Sequence, residues 1–167
     1  MVLVGVLLLP ATQTFLAQRI TLSFAERFDT QVNLGKISIS PFGYATLNDV
    51  LALDHKQDTL IYIGTLDVPA LRLRAVFQGD NNLGKVSLRN VKTNIITYKG
   101  EEKSNMDIFF EGLKGNDKRG HSTTSFYVSA ISLTKSNLLI FNENDSKNPL
   151  LFSNLNADIE NFGILGD

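Results

Sequence analysis

Three times in this chain a short polar tip separates two apolar runs, and no other feature restricts the fold as strongly. The tips are "DHKQD" (54–58), "KGEEKSN" (99–105) and "NENDSKN" (142–148). Asp, Asn and Gly suit turns, because their side chains bond the local backbone or because they tolerate positive φ. The flanking runs are "DVLAL" and "TLIYIGTLDV", then "NIITY" and "MDIFFEGL", then "NLLIF" and "PLLFSNLNADI". They are too short for long helices and rich in β-branched residues, so each tip is expected to close a hairpin.

The runs also begin alike. "GKISI" at Gly35 recurs as "GKVSL" at Gly84 (84 − 35 = 49), and "AISL" at Ala130 places Ile131 45 residues after Val86 (131 − 86 = 45). The shared order of strand, strand, polar tip and strand predicts repeated antiparallel β units, starting near 35, 84 and 130, in one elongated curved sheet. Segments 78–82 and 111–121 read as longer loops between them. In "ISI", "VSL" and "LNADI" the apolar residues alternate, which gives a sheet one apolar and one polar face. Either a second sheet or lipid chains would satisfy such a face, and the pattern is the same for both.

The N-terminal residues follow different rules. "MVLVGVLLLP" is apolar from Met1 to Leu9, less than half of the roughly 20 residues that cross a bilayer as a helix. It reads as the remnant of a transmembrane anchor; a short signal segment and a buried N-terminal element are the alternatives. Residues 10–30 then change period. Leu16, Ile20, Phe24 and Phe28 fall four apart, the spacing of an amphipathic helix that would lie at a membrane surface or pack on the following sheet. The β units are expected to occupy residues 31–167.

Composition excludes several classes. The net charge of −1 leaves no basic footprint for nucleic acid. The chain has no cysteine, so disulfides and thiolate metal sites are absent. His55 and His121 read as surface loop residues. Acidic pairs (Asp54 with Asp58, Glu101 with Glu102, Glu143 with Asp145) fall at the tips and read as solvated turns rather than a calcium site. Arg72 and Arg74 alternate with Leu71, Leu73 and Ala75, as on the water side of a strand. No phosphate loop, nucleophile elbow or zinc-protease motif occurs. No cofactor is expected, and the reading is non-enzymatic.

"LPATQTFLAQRITLSFAERFDTQVNLGKISIS" followed by "ATLNDVLALDHKQDTLIYIGTLDV" resembles the N-terminal region of TamB-like proteins of the AsmA superfamily. The pattern is carried by Leu47, Asp49, Val50, Leu53 and Asp54, then by Asp58, Thr59, Leu60, Ile61, Tyr62 and Ile63. "TYKGEEKSNMDIFF" (97–110) looks like that family's next unit. The resemblance implies an elongated β-taco groove in the periplasm, anchored in the inner membrane by a single pass. It also implies lipid transport to the outer membrane and outer-membrane biogenesis, with phospholipid as cargo and an outer-membrane assembly protein as partner at a C-terminal region this chain lacks. The mechanism would be passive passage of acyl chains along an apolar lining. On alternation, that lining is expected to include Ile37, Ile39, Leu51, Leu53, Ile61, Ile63, Val86, Leu88, Ile131 and Leu133. The rival reading is a structural or adhesion-type β module with a closed, dry core.

Overall fold

The computed structural model describes residues 32–40, 43–77, 80, 82–115 and 126–164. The expected anchor remnant (1–9), the amphipathic helix (10–30) and His121 lie outside them. Among the described residues no helix is long and apolar enough to cross a membrane.

The chain is mainly β. Strands β1 (Val32–Ile39), β2 (Tyr44–Leu53) and β3 (Thr59–Pro69) lead into helix α1 (Ala70–Phe77). Then follow β4 (Lys85–Thr97), helix α2 (Asn105–Gly115), β5 (Phe126–Asn142) and β6 (Leu150–Ile164). Among the described residues the six strands form a single open sheet in chain order, with β1 and β6 outermost. The sheet is mixed instead of antiparallel throughout as expected: β4 and β5 run parallel, because the chain returns through α2 instead of a hairpin, and all other neighbours are antiparallel.

The repeat is realised differently from the expectation. Every pair in the β4–β5 ladder, from Lys85–Ala130 to Thr97–Asn142, carries the 45-residue offset seen in the sequence. "GKVSL" and "NIITY" are therefore one long strand, as are "AISL" and "NLLIF", whereas "GKISI" and "DVLAL" are two strands joined by a turn. In that turn Gly43, at φ 84°, donates to Ser40 O, and Gly43 O accepts from Ala70 N at the start of α1.

Two runs expected as strand are helical. "MDIFFEGL" belongs to α2, because Ser104 and Asp107 cap its first turn reciprocally. Asp107 N donates to Ser104 Oγ (3.2 Å), while Ser104 N donates to the Asp107 carboxylate (3.1 Å). The tip 99–105 therefore leads into a helix instead of closing a hairpin, and residues 111–115 are helix rather than loop. Arg72 and Arg74 lie in α1, which begins directly after Pro69 ends β3. The other two tips close hairpins as expected.

A line of unusual backbone crosses the sheet. Asp49, Asn90, Lys135 and Asn154 have φ between 52° and 55° in the middle of β2, β4, β5 and β6. A left-handed residue cannot continue a straight pleat. Flanking pairs place Gly35 opposite Asp49, Asp49 opposite Gly64, and Gly64 opposite Asn90. A Cβ at Gly35 would come within 3.0 Å of Asp49 Cβ, and one at Gly64 within 3.0 Å of Asn90 Cβ. Both positions need glycine because the neighbouring strand presses close where it bends.

Candidate functional site

Cross-strand partners share a sheet face. One unbroken row runs Ile37–Leu47–Leu66–Leu88–Leu133–Ala157 across all six strands. Beside it lie Ile39–Ala45–Val68 and Val86–Ile131–Ile159. On the other side of the crease, Leu34–Val50–Ile63–Val91 and Ala52–Ile61–Thr93–Leu138–Phe152 continue the face. Leu34 and Val50 pack against the buried cluster of Ile37, Ala45, Leu47, Val68, Val86 and Val128, so the rows on both sides of the crease belong to one surface. The opposite face is polar around Asp67, whose carboxylate accepts from Thr46 Oγ1 and from the Arg89 guanidinium.

This surface holds Ile37, Ile39, Ile61, Ile63, Val86, Leu88, Ile131 and Leu133 together. Leu51 and Leu53 are not on it. Leu51 pairs with Tyr62 and stands between Val50 and Ala52, so it faces the other way, and Leu53 follows the same parity. The cause is Asp49: with Asn48 it turns two successive residues out of the apolar face, and the alternation resumes at Val50 instead of Leu51. Gly64 and Thr65 do the same in β3, between Ile63 and Leu66. In the sequence the signal is the spacing of apolar residues by three across a Gly, Asn or Asp, as in "LNDV" and "LRNV".

Cover is unequal along the face. Ile37 and Val68 are each 1% exposed, whereas Phe152 is 44% and Leu150 57% exposed. Ile140 and Ile159 are exposed as well. The bare part lies at the β5–β6 side of the sheet.

The tips do more than turn the chain. They lie together at one end of the sheet and are bonded to each other. Asp54 is buried and its carboxylate accepts from Lys56 N (2.9 Å), Asp58 N (3.0 Å), Tyr98 OH (2.7 Å) and Asn105 Nδ2 (2.9 Å). Burial alone would raise its pKa. The hydrogen bonds from Asn105, Tyr98 and the two backbone amides outweigh it and hold the carboxyl below its ordinary value. Tyr98 is pushed well above the ordinary phenol range, by burial first and then by its bonds to Asp54 and Asp58. Glu101 meets His55 Nε2 (2.9 Å) and Lys56 Nζ (2.8 Å). The third tip joins through Lys99 N to Glu143 Oε2 (2.9 Å) and Gly100 N to Asn144 Oδ1 (2.7 Å).

These carboxylates are satisfied by protein donors, and among the described residues no group of three or more ligands is placed to hold a metal. The arrangement is a polar clamp on the sheet end. Sequence reasoning took the tips as separate solvated turns and passed over Asn105 and Tyr98. Only the polar Asn105 at the edge of the apolar run in α2 hinted at a buried partner.

A scan against protein-family models, a search of curated proteins and a search of solved structures find nothing that matches this chain.

Proposed function

We propose that this chain is the N-terminal part of an AsmA/TamB-type protein, anchored in the inner membrane with its bulk in the periplasm. It would pass phospholipid toward the outer membrane, and so serve outer-membrane assembly, by letting acyl chains move along the apolar face of the creased sheet. The observation that carries this reading is the uncovered apolar area at Ile140, Leu150, Phe152 and Ile159, continuous with a face that is apolar across all six strands. Burying a side chain of this size gains roughly 1.5–3 kcal/mol. An acyl chain recovers that gain without fixed partners, because each methylene buried contributes about 0.8 kcal/mol wherever it sits. The crease would curve the sheet around such a chain, and the process involves no bond chemistry.

A second reading has its own support. Ile37, Ala45 and Val68 are almost completely buried, as in a structural or adhesion-type module with a dry core. A photoreactive residue placed at Phe152, and separately at Val68, separates the two in cells of a double-membrane bacterium. The conduit gives phospholipid crosslinks at Phe152 and few at Val68. Absence of lipid crosslinks at both positions removes the transport reading and leaves the dry module.

A further inference from the structure

The chain leaves β4 at the tip end of the sheet and must return to the other end before β5 begins, because the two strands run parallel. Helix α2 starts that return, and the hydrogen bonds of β4 fix the side of the sheet on which it lies. Thr97 O accepts from Glu143 N, just past the end of β5, and Gly84 O accepts from Ser129 N within it. On the other side of the strand Ile96 N donates to Asn105 Oδ1, and Asn94 O accepts from Asn105 Nδ2. A strand alternates its bonding direction as it alternates its side chains, so the backbone groups of Thr93, Ile95 and Thr97 point to β5. In a strand of L-residues running upward, a residue whose side chain faces the viewer sends its N–H and C=O to the right. Thr93 shares the apolar face with Ile61 and Leu138, so from that face β5 stands to the right of β4. A right-handed crossover to a strand on the right passes in front of the sheet. α2 therefore lies on the apolar side.

The helix presents a matching surface. Asn105 is buried and bonded to β4, and Phe109 stands one turn further along the same side. Asp107 and Glu111 lie opposite on helical spacing and are exposed, whereas Met106, Phe109 and Phe110 are half-buried. Attachment is at one end only. Among the described residues, Asn105 alone makes the hydrogen bonds from α2 to β4 and to Asp54 in the first tip. The bonds of Asp107 and Glu111 go to Ser104 and Lys103 beside them. α2 packs chiefly on β4. Ile140, the β5 partner of Ile95, is 37% exposed, so this cover thins out at β5.

We infer that α2 is a hinged cover on the apolar face: Asn105 holds its first turn, its Phe109 side rests on the β4 part of the face, and an acyl chain moving along the face takes its place there. The inference rests on the lipid-path reading above. Apolar contact is non-directional, so an acyl chain replaces Phe109 on the sheet without leaving a polar group unpaired. The bonds of Asn105 keep the helix from leaving altogether, and its own capping box holds it together as it moves.

The chain has no cysteine, so introduced pairs report on the full chain reconstituted with phospholipid vesicles. Phe109→Cys with Thr93→Cys should form a disulfide on oxidation. Phe109→Cys with Lys92→Cys should not, because position 92 faces the other side of the sheet, and Glu111→Cys with Thr93→Cys should not either. A photoreactive residue at Ile95 should label phospholipid in the reduced Phe109→Cys/Thr93→Cys protein. Oxidation should cut that label at least about tenfold, and reductant should restore it. A disulfide to position 92 instead of 93 overturns the inference, as does equal labelling at Ile95 in the two redox states. Label at Phe152 with none at Ile95 in the reduced protein also overturns it, and leaves the lipid path standing. Absence of label at both positions removes the lipid path, and the role of the cover with it.

Discussion

Val68 in β3 and Phe152 in β6 lie on the same face of the same sheet, and both are apolar strand residues in alternating runs. Val68 is sealed from water and Phe152 is not. Place in the sheet accounts for part of the difference: among the described strands β3 lies between β2 and β4, whereas β6 pairs with β5 alone through a ladder interrupted near Ser136. A strand's pattern states which face wants cover; whether cover arrives depends on elements elsewhere in the chain, on cargo or on a partner. The part of the face around Val68 is sealed within the fold, and the part around Phe152 is open to solvent.

The comparison breaks most clearly under charge. Val68→Asp buries an unpaired carboxylate and should cost roughly 3–5 kcal/mol, enough to unfold much of the protein in a thermal melt. Phe152→Asp should cost less than about 1 kcal/mol, as a surface change does. Equal losses at the two sites would show that the β6 side is covered as well.

The clamp comes next. Asp54→Ala leaves the amides of Lys56 and Asp58 without their side-chain acceptor, and leaves Tyr98 OH only Asp58 and Asn105 Nδ2 only Asn94 O, so a loss of roughly 2–4 kcal/mol in urea unfolding is expected. Acid should act in the same way. The folded carboxyl titrates below its ordinary value, so its contribution is complete above about pH 4 and fades as pH falls through the folded value. Stability measured from pH 7 downward should therefore fall below about pH 4, and Asp54→Asn should flatten that fall. An unchanged acid limb in Asp54→Asn would assign the loss to other carboxylates.

The crease is tested by smaller effects. Gly64→Ala drives a methyl group toward Asn90 and should cost about 1–3 kcal/mol, as overpacking does. Asn90→Gly relieves a left-handed side chain and should be neutral or stabilising by up to about 1 kcal/mol, whereas Asn90→Val should destabilise by about 1–2 kcal/mol. If valine is tolerated there as well as glycine, the left-handed bend is not required by the fold.

Much of the fold is legible in the sequence. The two hairpin tips 54–58 and 142–148, the β-rich character and the 45-residue offset follow from local chemistry: turn-forming residues in water, alternating side chains on a pleat, and strands with one pattern that dock in one register. The capping box at Ser104 and Asp107 was equally local and readable, and the apolar run after it masked the signal. Leu51 and Leu53 leave the face that simple alternation assigns them, because the pleat is not regular through Asp49. An isolated Asp in a strand does not announce a positive φ; the close approach of Gly35 and Gly64 from the neighbouring strands makes that bend fit.

The sequence by itself therefore determined where strands turn, which residues prefer to leave water, and which segments share a pattern. Tertiary structure alone decided three things: that the tips meet and bury Asp54 beneath Tyr98 and Asn105, that the bends align into one crease, and that cover ends before β6. Each depends on atoms brought together from different strands and tips: Gly35 lies opposite Asp49, Gly64 opposite Asn90, and Asp54 bonds Asn105 across 51 residues. Local preference is fixed within a few residues, but burial and hydrogen-bond satisfaction are properties of the whole assembly of strands.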